Sequence, residues 1–254
     1  MKIFFVKGKR AARFAALGAL ALALALTLHF TGAWAVFAGG TVRELPIYSV
    51  ERDDKHISVT FDCAWGTEHT DAILEALAAE NVRATFFMVE FWAEKYPEYV
   101  KKIDAAGHEI GTHSATHSQM SKLSEGEIRQ ELASSSEAIA SVTGKAVELF
   151  RPPFGDYDDL LIRTAREAGL YTVQWDVDSL DWKGLSAPEI AQRVLSRVQS
   201  GSIILCHNNG EHTAEALPAV LSALKTRGYT FVPVGELIYR GNFRMAADGR
   251  QYAG

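Results

Sequence analysis

Three junctions in the chain share one grammar, and they restrict the fold more than any other feature. Ala-Ala-Gly107-His108, Glu-Ala-Gly169-Leu170 and Thr-Arg-Gly228-Tyr229 each close a helix-like segment on glycine and open a strand-like one. Without a Cβ, glycine enters the left-handed conformation that ends a helix at little cost, so each junction reads as an α-to-β turn. Runs rich in β-branched and aromatic residues, the mark of strands, fall at 56–62, 83–89, 108–113, 147–151, 170–176, 202–207 and 229–232. Helix starts are marked too. Ser124 with Glu127, and Ser186 with Glu189, have capping-box spacing, in which hydroxyl and carboxylate satisfy orphaned amides of the first turn. In the first of these segments Ile128, Leu132, Ile139 and Val142 form one apolar face, and Gly144 marks its end.

Strands alternating with helices imply a mainly parallel sheet covered by helices. Seven strands over roughly 185 residues fall short of an eightfold barrel, which takes about 250. The expected architecture is therefore α/β, a distorted (β/α)7-type barrel with parallel strands, preceded by an N-terminal hydrophobic helix; a doubly wound open sheet is the alternative. Both put function at the C-terminal ends of the strands.

Charge narrows the partners. Lys and Arg total 26 against 31 Asp and Glu, a net −5, so the protein has no overall cationic character with which to hold a phosphate backbone, and nucleic acid is not expected as a partner. Lys2, Lys7, Lys9, Arg10 and Arg13 precede an apolar run over 14–38. A basic flank, an apolar stretch and the small-residue motif Ala33-Trp34-Ala35 suit a cleaved signal peptide, whereas the length of the run suits an uncleaved membrane anchor. Both place the rest of the chain outside the cytoplasm, secreted or membrane-anchored. The expected organisation is signal or anchor over 1–38, linker over 39–55, one folded domain over 56–240 and a tail over 241–254, acting as a monomer. Outside the cytoplasm a Cys63–Cys206 disulfide becomes chemically permissible.

Five polar constellations fall at successive strand ends. Asp62 closes the first strand in VTFDCAWG, and His113 and His117 follow the third in THSATH, four apart as on one side of a helical turn. Arg151 ends the next strand in LFRPPFGDY, where Pro152 and Pro153 stiffen the turn and leave a guanidinium able to grip a carboxylate. Asp176, Asp178 and Asp181 crowd WDVDSLDWKG, which reads alone as an acidic loop, and His207 emerges from SIILCHNN beside an apolar wall. Each signal alone is weak; their order along one rim makes coincidence a poor account.

Together these motifs resemble the polysaccharide deacetylases, the NodB-homology domains of carbohydrate esterase family four, over about residues 55 to 240. TFD, HSATH, RPPFG, DSLDW and LCH carry the likeness, and TFDCAWG with the C-terminal TAEALPAVL run is most similar to the sporulation-associated branch. The resemblance implies hydrolytic removal of N-acetyl groups from amino sugars of peptidoglycan or a related envelope polysaccharide. It implies Asp62 as general base, Arg151 as its orienting partner, His207 as general acid and Asp181 as the group positioning His207. It further implies Trp182 and Leu205 as apolar walls around the acetyl group, with a backbone amide near Phe154 for the developing oxyanion, and His113 and His117 as ligands of a divalent metal, expected to be zinc. The family's opening is TFDD, and Cys63 stands here where its second aspartate completes the metal site. Three readings stay open: Cys63 ligates the metal as thiolate, fills core as a small apolar residue, or pairs with Cys206. The second would leave a deacetylase-like domain that binds glycan without turnover.

Overall fold

The structure is a computed structural model that describes Leu17 and residues 43–254, so the hydrophobic helix expected over 1–38 otherwise lies outside the described residues. Among the described residues no helix is long and apolar enough to cross a membrane. Glu44–Gly254 form one compact unit. Its parallel strands are β2 (His56–Cys63), β3 (Thr85–Met88), β4 (Glu109–Thr112), β5 (Leu149–Phe150), β6 (Tyr171–Thr172), β7 (Val177–Asp178) and β8 (Ile203–His207), hydrogen-bonded in the order β6-β5-β4-β3-β2-β8-β7. Helices α1 (Thr70–Ala79), α2 (Glu90–Lys95), α3 (Pro97–Ala105), α4 (Glu125–Thr143), α5 (Asp159–Glu167), α6 (Ala187–Leu195) and α7 (Thr213–Thr226) separate the strands. The result is the expected distorted barrel, a curled sheet whose hydrogen-bonded path stops at β6 and β7.

Strand alternation divides each strand between two environments. On β2, Ile57, Val59, Phe61 and Cys63 face outward into a cluster that includes Ile73, Leu77, Leu221 and Leu224 from the helices. Phe61 stacks on its register partner Phe86 at 4.9 Å between centroids. Each fully buried side chain of this size contributes about 1.5–3 kcal/mol of transfer free energy. The inward face carries Ser58, Thr60 and Asp62, buried and polar, level with Ile203, Leu205 and His207 of β8. A polar interior at the carboxyl ends of the strands is where the site lies.

The local signals are realised. Ser124/Glu127 and Ser186/Glu189 are reciprocal capping boxes, and Gly107, Gly169 and Gly228 sit at φ +81°, +80° and +84°. Two expectations change. The match in strand number conceals a difference: the run at 229–232 yields β9 (Thr230–Phe231), which pairs only with the start of β2, off the main path. The seventh strand of the path is instead β7, inside the segment read as an acidic loop. Two residues are too few to show alternation, so the pattern could not reveal it.

The segment expected as linker, 39–55, contributes β1 (Ser49–Val50), and the expected tail contributes β10 (Phe243–Met245) and β11 (Arg250–Ala253). Beyond β9, a short α8 (Val234–Leu237) leads into this hairpin. Ile47 donates its amide to Thr172 O and accepts from Gln174 N, while Val50 N donates to Gly201 O. Residues 47–50 thus tie β6 to the residues that lead into β8, across the open seam of the sheet, and β1 pairs in parallel with β11. The seam is close-packed at Gly201, where φ is +81° and a Cβ would lie 1.6 Å from Val50 O. Gly201→Ala is expected to destabilise the protein by about 3 kcal/mol through clash and backbone strain, as read from urea unfolding.

Candidate active site

Asp62 and His207 are register partners on neighbouring strands, so a carboxylate and an imidazole leave the sheet side by side on its inner face. Arg151, at the end of β5, is fully buried beneath them. One Nη donates to Asp62 Oδ1 at 2.7 Å and to Thr60 Oγ1 at 2.8 Å, and the other donates to Gln174 O at 3.1 Å. The Phe87 ring, 4.1 Å from the guanidinium carbon, and Trp175, at 5.6 Å, flank the cation. Burial alone would raise the Asp62 carboxyl, but Arg151, with help from His113 and His207, outweighs it and holds the group below its ordinary 3.8.

His207 is held by a second carboxylate. Asp181, buried at the start of a 3₁₀ turn over Asp181–Lys183, accepts from His207 Nδ1 at 2.8 Å through one oxygen. Its other oxygen accepts from the His207 amide and from Thr213 Oγ1, both at 2.7 Å. Burial lowers the imidazole's proton affinity, yet the Asp181 hydrogen bond and charge prevail and raise it above 6.5. Nδ1 is thereby committed to Asp181, which leaves Nε2 as the ring's remaining proton site. Asp176 and Asp178 have structural duties: Asp176 accepts from Ser202 Oγ and Ile203 N, and Asp178 from Leu180 N.

His113 and His117 meet, but not on a helical turn. They lie in a loop in which Ser114 and His117 adopt φ +73° and +57°, with the His117 amide donating to Ser114 Oγ at 3.0 Å. The rings come within 5.0 Å of each other. His113 Nδ1 donates to Arg151 O at 2.7 Å, so Nε2 faces Asp62 Oδ2, at 3.5 Å. Burial depresses the proton affinity of both rings, bringing His117 down to about 4. Of six non-glycine residues at positive φ among the described residues, four (Ser114, His117, Phe154 and Leu180) border these groups. Strain concentrated in this way is characteristic of sites whose geometry is held by the surrounding fold.

Above these groups opens a cleft of about 570 Å³, walled by Trp65, Phe154, Trp175, Trp182 and Leu205 with the Asp62, His113, His117 and His207 side chains at its base. Nine of the ten expected site residues therefore converge. Thr60, Thr213 and Asn208 belong to the site although the motifs that contain them gave them no role. Thr60 could have been found by alternation, two residues before Asp62; Thr213 and Asn208 act through tertiary contacts that leave no local signal.

The comparisons with known proteins agree with this arrangement. Residues 49–173 match the model of the polysaccharide deacetylase family. A peptidoglycan-N-acetylglucosamine deacetylase of Bacillus cereus is 34% identical over 196 residues, covering 75% of this chain and 92% of its own. The chain is a polysaccharide deacetylase family member. This deacetylase-family domain is also 36% identical over 193 residues to the uncharacterised protein YlxY of Bacillus subtilis, covering 76% of the chain but only 60% of YlxY. Among solved structures, a carbohydrate esterase family 4 pseudoenzyme from Bacillus anthracis superposes with a TM-score of 0.73 at 35% identity, over 76% of this chain and 68% of its own. A mutant of that pseudoenzyme, described as having restored enzymatic activity, gives 0.74 at 36% identity, over 76% and 70%.

Cys63 is the residue the fold does not bring to the site. It is fully buried in the outward cluster with Phe61 and Ile73, on the other face of β2 from Asp62. Burial, then the neighbouring Asp62 charge, pushes its thiol well above 9.0, against the thiolate a metal would need. Among the described residues no group of three His, Cys, Asp or Glu side chains is placed to hold a metal ion. The zinc set expected from His113, His117 and Cys63 is therefore not assembled in this deacetylase-family domain: the two imidazoles are present and the third ligand is not. The disulfide is absent as well, since both cysteines are free. Cys206 pairs in register with Phe61 and so shares the outward face of Cys63 rather than opposing it. Two residues of offset across one strand spacing set the Cα atoms about 8 Å apart, beyond disulfide reach. Cys63→Ala is expected to leave the zinc content of the purified protein unchanged and to cost about 1 kcal/mol of stability, as for other small core deletions. Zinc lost only in the variant would make Cys63 a ligand after all.

Proposed function

We propose that the protein hydrolyses N-acetyl groups from amino sugars of peptidoglycan or a related cell-envelope glycan, with Asp62 as general base and His207 as general acid. The observation carrying this reading is the pair itself: two titratable groups side by side on adjacent strands, driven in opposite directions by Arg151 and Asp181. A carboxylate that stays ionised can take the proton of a water attacking the acetyl carbonyl. An imidazole that stays protonated can give one to the departing amine, and proton transfers of this kind contribute about 10²–10⁴ in rate. The apolar walls Trp182, Leu205 and Phe154 would seat the acetyl methyl, and the backbone amide beside Phe154 is the candidate donor to the developing oxyanion. Named relatives that deacetylate peptidoglycan support the substrate class. The N-terminal segment supports an extracytoplasmic site of action, secreted or anchored, and the likeness to the sporulation branch supports a role in spore-forming cells.

A second reading, glycan binding without turnover, is favoured by one observation, the seclusion of Cys63 from the cleft. Acetate release from N-acetylglucosamine oligomers or peptidoglycan fragments, with and without added zinc, separates the two. Turnover is expected to fall at least about 100-fold in Asp62→Asn. Retained glycan affinity with no acetate under any divalent ion would leave the binding reading.

The pH profile gives an independent check. Asp62 must be ionised, so activity is expected to be lost only as pH falls below the ordinary carboxylate range. His207 must be protonated, so the alkaline limb is expected above pH 6.5. In Asp181→Asn that limb should move to lower pH, because the charge and the acceptor that raise His207 are weakened. An unmoved limb would assign the acid to another group.

A further inference from the structure

The large apolar side chains that this folded unit leaves in solvent, among the described residues, are four aromatics: Trp65, Phe91, Phe154 and Trp182, exposed by 56%, 38%, 63% and 57%. Three of them wall the cleft; Phe91 does not. It stands on the first turn of α2, its ring centroid 6.2 Å from Trp65. Trp65 in turn lies 4.9 Å from His117, which lies 4.6 Å from Phe154. The four rings make a continuous row, longer than one sugar ring, that starts in the cleft and leaves it. A grouped exposure of this kind calls for an occupant, because scattered surface aromatics would need none.

The outer end of the row is held from below. Gly66 O accepts from Trp92 Nε1 at 2.7 Å and from Asn208 Nδ2 at 2.8 Å, and the same amide reaches Trp65 O at 3.3 Å. Asn208 is fully buried, and its own N–H donates to Asp62 O at 3.1 Å. The loop carrying Trp65 is thereby tied both to the strand end carrying His207 and to the helix carrying Phe91. The backbone under both rings is therefore set before a ligand arrives, which reduces the entropic cost of binding.

We propose that Trp65 and Phe91 form a second sugar-binding platform, outside the acetyl cleft, that stacks on the apolar ring faces of the residues flanking the one whose N-acetyl group enters. The ligand is then an oligomeric N-acetylated glycan rather than a monosaccharide. This rests on the glycan reading above and adds the direction in which the chain runs, outward over α2. Glu90 and Glu94 outnumber Lys95 on the same helix, a net negative charge beside the platform that disfavours an anionic lipid surface as its occupant.

Calorimetric titration of the full-length protein with N-acetylglucosamine and its dimer and tetramer tests the assignment. Affinity is expected to rise with length in the wild type. Phe91→Ala should weaken the tetramer by about tenfold, the size of one aromatic contact, and leave the monosaccharide unchanged. Phe91→Tyr, which keeps the ring, should restore the tetramer. Equal tetramer affinity in wild type and Phe91→Ala, or wild-type affinity indifferent to length, would overturn the platform while leaving the glycan reading intact. Absence of binding at every length would remove both. Capture by phosphatidylserine vesicles that depends on Phe91 would give the surface to lipid and overturn the proposal.

Discussion

The contact between Arg151 and Asp62 governs the interior of this barrel. A guanidinium with no solvent exposure has lost its hydration, and the fold replaces it with Asp62, Thr60, a main-chain carbonyl and two aromatic faces. Its Nε alone has no hydrogen-bond partner. Such a pair contributes little net stability compared with an apolar replacement, but removing one member strands the other charge in the core. The pair is therefore better understood as a device for keeping one carboxylate ionised at the mouth of a sheet. It also explains why β2 and β5, separated by β3 and β4, must keep their register.

A second, smaller device repeats the principle with the sign reversed. Asp181 uses both oxygens, one on the imidazole and one on the His207 amide and Thr213, so the ring is fixed in rotation as well as in proton affinity. The two carboxylates do different work because their partners differ: a permanent cation beside Asp62 and a titratable ring beside Asp181. The His113 imidazole is turned toward Asp62 with the His117 ring beside it, and among the described residues no third side chain joins them as a set able to hold a metal ion. In this sheet the alternation that sends Asp62 inward sends the next side chain outward, and the thiol at 63 follows that rule.

The parallel α/β architecture was legible because its signals are local and repeated: glycine-ended helices, capping boxes and strand runs at regular spacing. Asp62, Arg151 and His207 were legible because each ends a strand on the same rim. What escaped had physical reasons. β7 is too short to show a period, and the seam segment 47–50 is flanked by Gly and charged residues that resemble linker composition. The His113–His117 approach depends on two residues at positive φ, a geometry that residue spacing alone mistakes for a helical turn. Thr213 joins the site only because α7 packs across β8, and Phe91 emerges only because burying Trp92 turns its neighbour outward.

The pairing of Ser49 with Arg250 joins residues separated by nearly the whole length of the described chain. Loop closure on that scale contributes little until both strands arrive, so that pairing is a late event in folding and a slow one. During synthesis, the 47–50 segment can bridge β6 to the start of β8 while the outer edge of β1, which β11 will pair, is still bare. An edge of unpaired main-chain amides is a template for another chain, and this domain depends on β11 to hide it.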